Sequence, residues 1–335
     1  MFAKKIGIDM GTASTQVYVR GEGIVVDEPS LAAVETPGSR VVSIGRHAEQ
    51  AVAGAPGALR LVQPLRGGAV ADAAVVEQVL RILVNRAQGR QRLFRPEVMM
   101  CVPAGATGDD RRAMTEAAIS AGARQAWLIE APLAAALGLG LPVAEARAHA
   151  ICDVGAGGVQ VAVIALSGVV VAVSAPAGGD QLDAAIVSWV RRRSGVTLEP
   201  RAAEALKVAL GSALPLDRPR SVEATGREEG GGPSVTVAVS SAEVTDAIRE
   251  PLAALAAAVR EVLAQTPAGL APDVAERGLV LTGGGALLRG LDRHLAREAG
   301  VPVRVAENPR TCAVRGTRRA LGEFELLQRR QLYLR

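Results

Sequence analysis

"IGIDMGTASTQVYV", residues 6–19, decides the fold. It enters as an apolar strand, reaches a single acid at Asp9, and turns through small and hydroxylated residues. It leaves as an alternating strand, and a third, "GIVVDEP", follows after the turn "GEG". The same order returns in "AHAICDVGAGG" (148–158): strand, Asp153, Gly-rich turn. A two-strand hairpin with a Ser-Gly turn, "VQVAVIALSGVVVAVSA", comes next. Residues 6–26 and 150–175 therefore read as two copies of one unit, which predicts two similar α/β domains facing each other across a cleft.

A third Gly-rich turn, "LTGGGALLRG" (281–290), also follows an apolar strand and precedes a helix. Glycines in such turns leave main-chain N–H groups open to an anion, where a side chain would otherwise intrude. Phosphate is the anion such turns commonly hold. Asp9 and Asp153, each at a strand end beside its turn, are placed to hold a divalent cation through its waters. Neither a GK[ST] phosphate loop nor a G-x-G-x-x-G fingerprint is present.

Between the units, "PEVMMCVPAG" (96–105) reads as a buried strand. Thr107 caps the next helix, with Asp110 three residues on. "QAWLIE" is a strand and "APLAAALGLGL" a small-residue helix. After the second unit, "DQLDAAIVSWVRRRSG" is a helix with a basic last turn and Gly at its end. Residues 213–234 read as loop and hairpin. Residues 241–265 read as one long amphipathic helix capped by Ser241, burying Val244, Ile248, Leu252, Leu255 and Val259.

Bulk composition agrees with a two-domain globular chain. There are 335 residues, 49% of them apolar but only 2% aromatic, so the core is built of Val, Leu, Ala and Ile. The net charge of +4 is a mild excess that suits an anionic surface without requiring one. Near-absence of stacking aromatics argues against a nucleic-acid partner. Cys101, Cys152 and Cys312 are far apart in apolar stretches, without metal-type spacing, and are expected as buried reduced thiols. "MFAKKIG" lacks the apolar core of a signal peptide, and "VAVIALSGVVVAV" is too short and β-branched for a spanning helix.

These residues resemble the bacterial actin homologues of the MreB type, within the actin, sugar-kinase and heat-shock-chaperone superfamily. The likeness covers roughly residues 5–320. It is carried by "IGIDMGTASTQVYVRGEGIVVDEPS", "VQPLRGGAVAD", "LIEAPLAAALGLGLPV", "GGDQLDAAI" and above all "RGLVLTGGGALLRGLD". The resemblance implies an actin-like α/β fold: two ribonuclease-H-like domains around a nucleotide cleft, each with a small subdomain. Residues 1–145 with 310–335 would form one (subdomain about 31–64), and 146–309 the other (subdomain about 184–242). It implies ATP and Mg2+ as ligands. Gly11, Thr12, Ala13 and Ser14 would form the first phosphate loop, and Gly155, Ala156 and Gly157 the second. Gly284, Gly285, Ala286 and Leu287 would hold the adenosine, though this pocket does not discriminate ATP from GTP. Glu204 and Lys207 in "RAAEALK" match the family's ribose-binding E-x-x-K, and three-residue spacing puts both on one helix face. An ordinary surface ion pair is the competing reading of those two.

Two departures concern hydrolysis. The family's Glu-Glu-Pro, whose second Glu positions the attacking water, is here "EAP": Glu130 remains, but Ala131 stands at that position. One residue of shift changes the side chain's direction, so no catalytic residue is assigned. The second loop's two threonines and acid are replaced by Gly158, Val159 and Gln160. Loss of a water-orienting group costs on the order of 10²–10⁴-fold, so at most a slow ATPase is expected.

The family likeness also implies membrane-associated filaments on the inner face of the cell membrane, hence a cytoplasmic, peripheral protein. Its partners would be its own copies and membrane proteins of morphogenesis or cell-wall synthesis. In "RQRLFRPE", Leu93 and Phe94 lie between arginines, a pattern suited to an anionic bilayer interface or to packing under the loop. Met1 and Phe2 beside Lys4 and Lys5 offer a second small anchor. The alternative is a non-polymerising nucleotide-binding adaptor of the same fold. A phosphotransferase ranks below it, because the carboxylate it needs is missing at Ala131.

Overall fold

A computed structural model describes residues 3–89, 94–229 and 232–322. Met1, Phe2 and Leu93 lie outside the described residues.

Two five-stranded sheets dominate. The first runs Gly23–Pro29, Ser14–Val19, Lys5–Met10, Glu97–Val102, Gln125–Glu130. The second runs Gly168–Ala175, Val159–Ala165, His149–Val154, Leu279–Thr282, Val303–Val305. In each, an antiparallel three-strand meander continues into two parallel strands. The likeness extends to register: Asp9 sits opposite Gln16, and Asp153 opposite Gln160. The repeat read from the sequence is thus a repeat of structure.

Strand alternation decides which face each residue takes. Ile6, Ile8 and Met10 enter a core closed by helices Ala73–Gln88 and Gly108–Ser120, while Asp9 points to the other face. The second sheet has its own core under helices Gly179–Ser194, Pro200–Leu210 and Arg249–Gln265. A third core joins the halves. There the small-residue helix Ala131–Gly138 lies against Cys312–Gly322. A Cβ on Gly316 would collide with the Ala134 carbonyl, and one on Gly138 with that of Cys312, so the backbones meet directly.

Smaller sheets extend each half. Ala32–Glu35, Val41–Ile44 and Leu59–Val62 enclose helix Arg46–Gly54 in sequence; Val196–Thr197, Ser221–Glu228 and Ser234–Ser240 do the same for Pro200–Leu210.

Two local expectations need correction. The long helix is two, Ser241–Ala247 and Arg249–Gln265, because Pro251 cannot donate to the Ala247 carbonyl and its ring crowds it. Its cap is Ser240, whose side chain accepts from the Glu243 N–H while Glu243 accepts from the Ser240 N–H. The second correction concerns the hairpin after the second loop, which turns at Leu166–Ser167, one residue earlier than read. Both take positive φ, 50° and 62°, as a two-residue turn matched to strand twist requires. The Thr107–Asp110 capping box forms as read.

Candidate functional site

Between the two halves lies a cavity of about 1000 Å³. Its lining gathers residues from all three Gly-rich turns: Gly11–Ser14, Gly155–Gly157, and Gly284, Gly285 and Leu287. Ala286 differs, because the 3-10 turn Gly284–Leu287 rotates its side chain into the second core. Asp9, Asp153, Glu204 and Lys207 line the same cavity.

The two phosphate-type loops close identically: Gly11 N–H donates to Ser14 O at 2.9 Å, and Gly155 N–H to Gly158 O at 2.9 Å. Gly155 and Ala156 give their carbonyls to the N–H groups of Gly179 and Asp180, at 3.0 and 2.9 Å, at the head of helix Gly179–Ser194. Thr12 Oγ1 accepts from Gly68 N–H at 3.1 Å, fixing the turn of hairpin Leu65–Val70 against the first loop. A Cβ at Gly157 would stand 2.5 Å from Thr12 Oγ1 and 2.8 Å from Gly67 Cα. Three backbone segments from both halves therefore converge where only glycine fits.

Asp9 and Asp153 carry the electrostatics. Burial first, and then the charge of Asp153, push Asp9 up to about 7. Asp153 is raised by burial, against the opposing bond from Thr282 Oγ1 at 2.8 Å. Two carboxylates of like sign in one low-dielectric wall favour a cation between them. This donor set, oxygen-only and flanked by open N–H turns, fits a hydrated Mg2+ with a phosphate chain. Such a cation would neutralise phosphate charge, with Asp9 and Asp153 orienting its waters. Cys101 also lines the cavity, its thiol pushed well above the usual range by burial and by both aspartates, which leaves it unreactive.

Glu130 and Ala131 part company. Ala131 lines the cavity; Glu130 does not, and its Oε1 accepts from Arg111 Nη2 at 2.9 Å. Gly158, Val159 and Gln160 also line the cavity, where Gln160 Oε1 accepts from Ala104 N–H at 2.8 Å across the cleft.

On helix Pro200–Leu210, Lys207 does not pair with Glu204. Its Nζ donates to Asp183 Oδ2 at 2.7 Å and to Gly179 O at 3.3 Å. Asp183 is still pushed up to about 6, chiefly by burial and further by Glu204 and Asp180. No motif in the sequence marks Asp183 as the partner of Lys207, 24 positions away on another helix. Arg289 was missed although it sits inside the third turn's motif. It binds carbonyls at the C-terminal end of helix Pro200–Leu210, those of Ala209 (3.0 Å) and of the capping residue Gly211 (3.2 Å), and so ties the Glu204 helix to the Gly284 turn. Asp27, Arg46 and Arg310 also line the cavity, with Arg310 Nη2 donating to Asp27 at 3.3 Å. Only tertiary folding brings these three together.

Of the apolar pair, Phe94 is 48% exposed. No helix among the described residues is long and apolar enough to cross a membrane.

Comparison with known proteins places this geometry. The family model described as "MreB/Mbl protein" matches residues 3–329. The chain is 44% identical over 331 residues to "Cell shape-determining protein MreB" of Escherichia coli, covering 97% of this chain and 95% of that one. It is 36% identical over 332 residues to "Cell shape-determining protein Mbl" of Bacillus subtilis, covering 99% and 100%. The crystal structure of MreB5 of Spiroplasma citri bound to ADP superposes with a TM-score of 0.90 at 28% identity, covering 98% of this chain and 99% of that one.

Proposed function

The chain belongs to the MreB/Mbl family, and from that premise we propose that it is a cytoskeletal ATP-binding protein with weak or absent hydrolysis, assembling on the inner membrane surface to help determine cell shape or organise wall synthesis. The nucleotide would lie in the interdomain cavity. Its phosphates would meet the N–H groups of the Thr12 and Ala156 loops, and its Mg2+ waters would meet Asp9 and Asp153. The nucleoside would rest between Glu204, Lys207 and the Gly284–Leu287 turn. The MreB5 structure is of that protein bound to ADP, which supports a nucleotide as the ligand of this fold.

The observation that carries the hydrolytic part is the side chain at 131. A methyl group faces the cavity where a water-positioning carboxylate is needed, and the adjacent Glu130 is engaged by Arg111. Such a protein would hold ATP as a conformational ligand for longer than a turnover-competent relative. Membrane contact would come from the 93–94 pair, of which Phe94 is half exposed. The missing hydrolytic groups also favour the second reading, a non-polymerising adaptor.

Electron microscopy of the purified protein with ATP and Mg2+, with and without anionic lipid, separates the two. Nucleotide-dependent filaments on lipid support the cytoskeletal reading. Nucleotide binding without assembly under either condition favours the adaptor.

A further inference from the structure

The two halves are tied across the cleft at different depths. At the floor, Gln160 accepts from the Ala104 N–H. At the mouth, Glu49 forms an ion pair with Arg201. Glu49 lies on helix Arg46–Gly54, in the extension of the first half; Arg201 lies in the first turn of helix Pro200–Leu210, in the extension of the second. Neither lines the cavity. Yet Arg46, three residues before Glu49, and Glu204, three residues after Arg201, both do. Three residues is one helical turn, so each partner of the ion pair shares a face with a residue of the cavity wall. The pair therefore bridges the two helices just outside the space available to a ligand.

From this placement we infer that Glu49–Arg201 is a latch on the cleft, regulating how fast bound nucleotide leaves. The inference rests on reading the cavity as the nucleotide site. Release requires the extensions to separate, because the walls carrying Arg46 and Glu204 flank the exit. Separation must break the ion pair, whereas the phosphate loops at the floor can keep their own geometry. The latch is weak by construction. Arg201 and Glu49 side chains are 70% and 34% exposed, so solvent and salt screen their attraction. A weak gate suits control of an exchange rate: it slows opening without locking the ligand in. Reversing one charge replaces attraction by repulsion of similar size, which corresponds to about a threefold to tenfold faster release.

The test is stopped-flow displacement of a fluorescent methylanthraniloyl-ATP, with Mg2+, from the full chain by excess unlabelled ATP. Glu49→Arg and Arg201→Glu should each accelerate dissociation by about threefold to tenfold. The double variant carrying both changes should return close to the wild-type rate, since it restores the pair with its charges exchanged. Single variants that dissociate at the wild-type rate, or a double variant as fast as the singles, would overturn the latch while leaving nucleotide binding intact. Failure of the wild type to bind the labelled nucleotide at equilibrium would overturn both the latch and the nucleotide reading.

Discussion

Arg111 Nη2 holds Glu130 Oε1 at 2.9 Å, outside the cavity that Ala131 lines. Strand Gln125–Glu130 ends at this point, and the helix starting at Ala131 rotates the next side chain into the cleft. Adjacent residues thus have separate fates. One acid is spent on an ion pair whose guanidinium also binds the Ala106 carbonyl at 3.1 Å, and the position that reaches the cavity carries a methyl group.

Placing an acid at 131 should therefore restore part of the missing chemistry. Ala131→Glu is expected to raise steady-state phosphate release by at least about tenfold, short of the full general-base range of about 10²–10⁴. The gain stays partial because Gly158 and Val159 supply no hydroxyl. Glu130→Gln, by contrast, should leave release unchanged. A malachite-green assay on the three proteins checks both. Wild-type turnover already matching that of Ala131→Glu would count against the assignment.

The convergence at Gly157 makes a sharper demand on binding. Gly157→Ala forces a methyl group against Thr12 Oγ1 and the Gly67 backbone, displacing one loop from the other. Calorimetry should show Mg2+-ATP affinity falling by at least about tenfold, the 1.4 kcal/mol expected of a modest overpacking strain. Gly269→Ala, with nothing within 4 Å of the new Cβ, should bind as the wild type does.

Much of this architecture was legible because it is local and repeated. Strand, acid and Gly-rich turn recur within short windows around Asp9 and Asp153, and identical 2.9 Å closures at Gly11 and Gly155 follow from that repetition. What escaped is tertiary. Nothing near Asp183 signals that it takes Lys207 from Glu204, and nothing near Arg310 signals Asp27, 283 positions away. The break at Ile248 was hidden for another reason. The apolar spacing of Val244, Ile248 and Leu252 runs through it unbroken, and all three are buried, while the stop comes from the missing N–H of Pro251.

The exposed ring of Phe94 should act at lipid rather than in folding. Leu93→Ser with Phe94→Ser is expected to lose most co-sedimentation with anionic vesicles, on the order of tenfold in partitioning for two interfacial apolar side chains. Its melting temperature should stay within about 2 °C, as expected of a surface change. A fall in melting temperature without loss of vesicle binding would instead assign the pair to packing.

The Asp9–Asp153 pair gives the ligand-free protein a pH dependence of definite sign. Asp9 sits at about 7 when folded, above the usual value near 3.8. Between those values the unfolded chain is the more fully ionised state and binds fewer protons. Folding stability from this group is therefore present at low pH and declines as pH rises through about 4 to 7. Asp183, raised to about 6, adds a contribution of the same sign. His149 and His294, both lowered by burial, oppose it by favouring the folded state at higher pH, so the diagnostic quantity is a difference between proteins. Asp9→Asn removes the buried charge. Urea unfolding without nucleotide should find it more stable than the wild type at pH 8, by an amount of order 1–3 kcal/mol, with the gap narrowing at pH 5. Saturating Mg2+-ATP should stabilise the wild type more than Asp9→Asn, because the cation offsets the same repulsion. Equal stability of the two proteins at pH 8 without ligand would mean that the carboxylates do not strain the empty cleft.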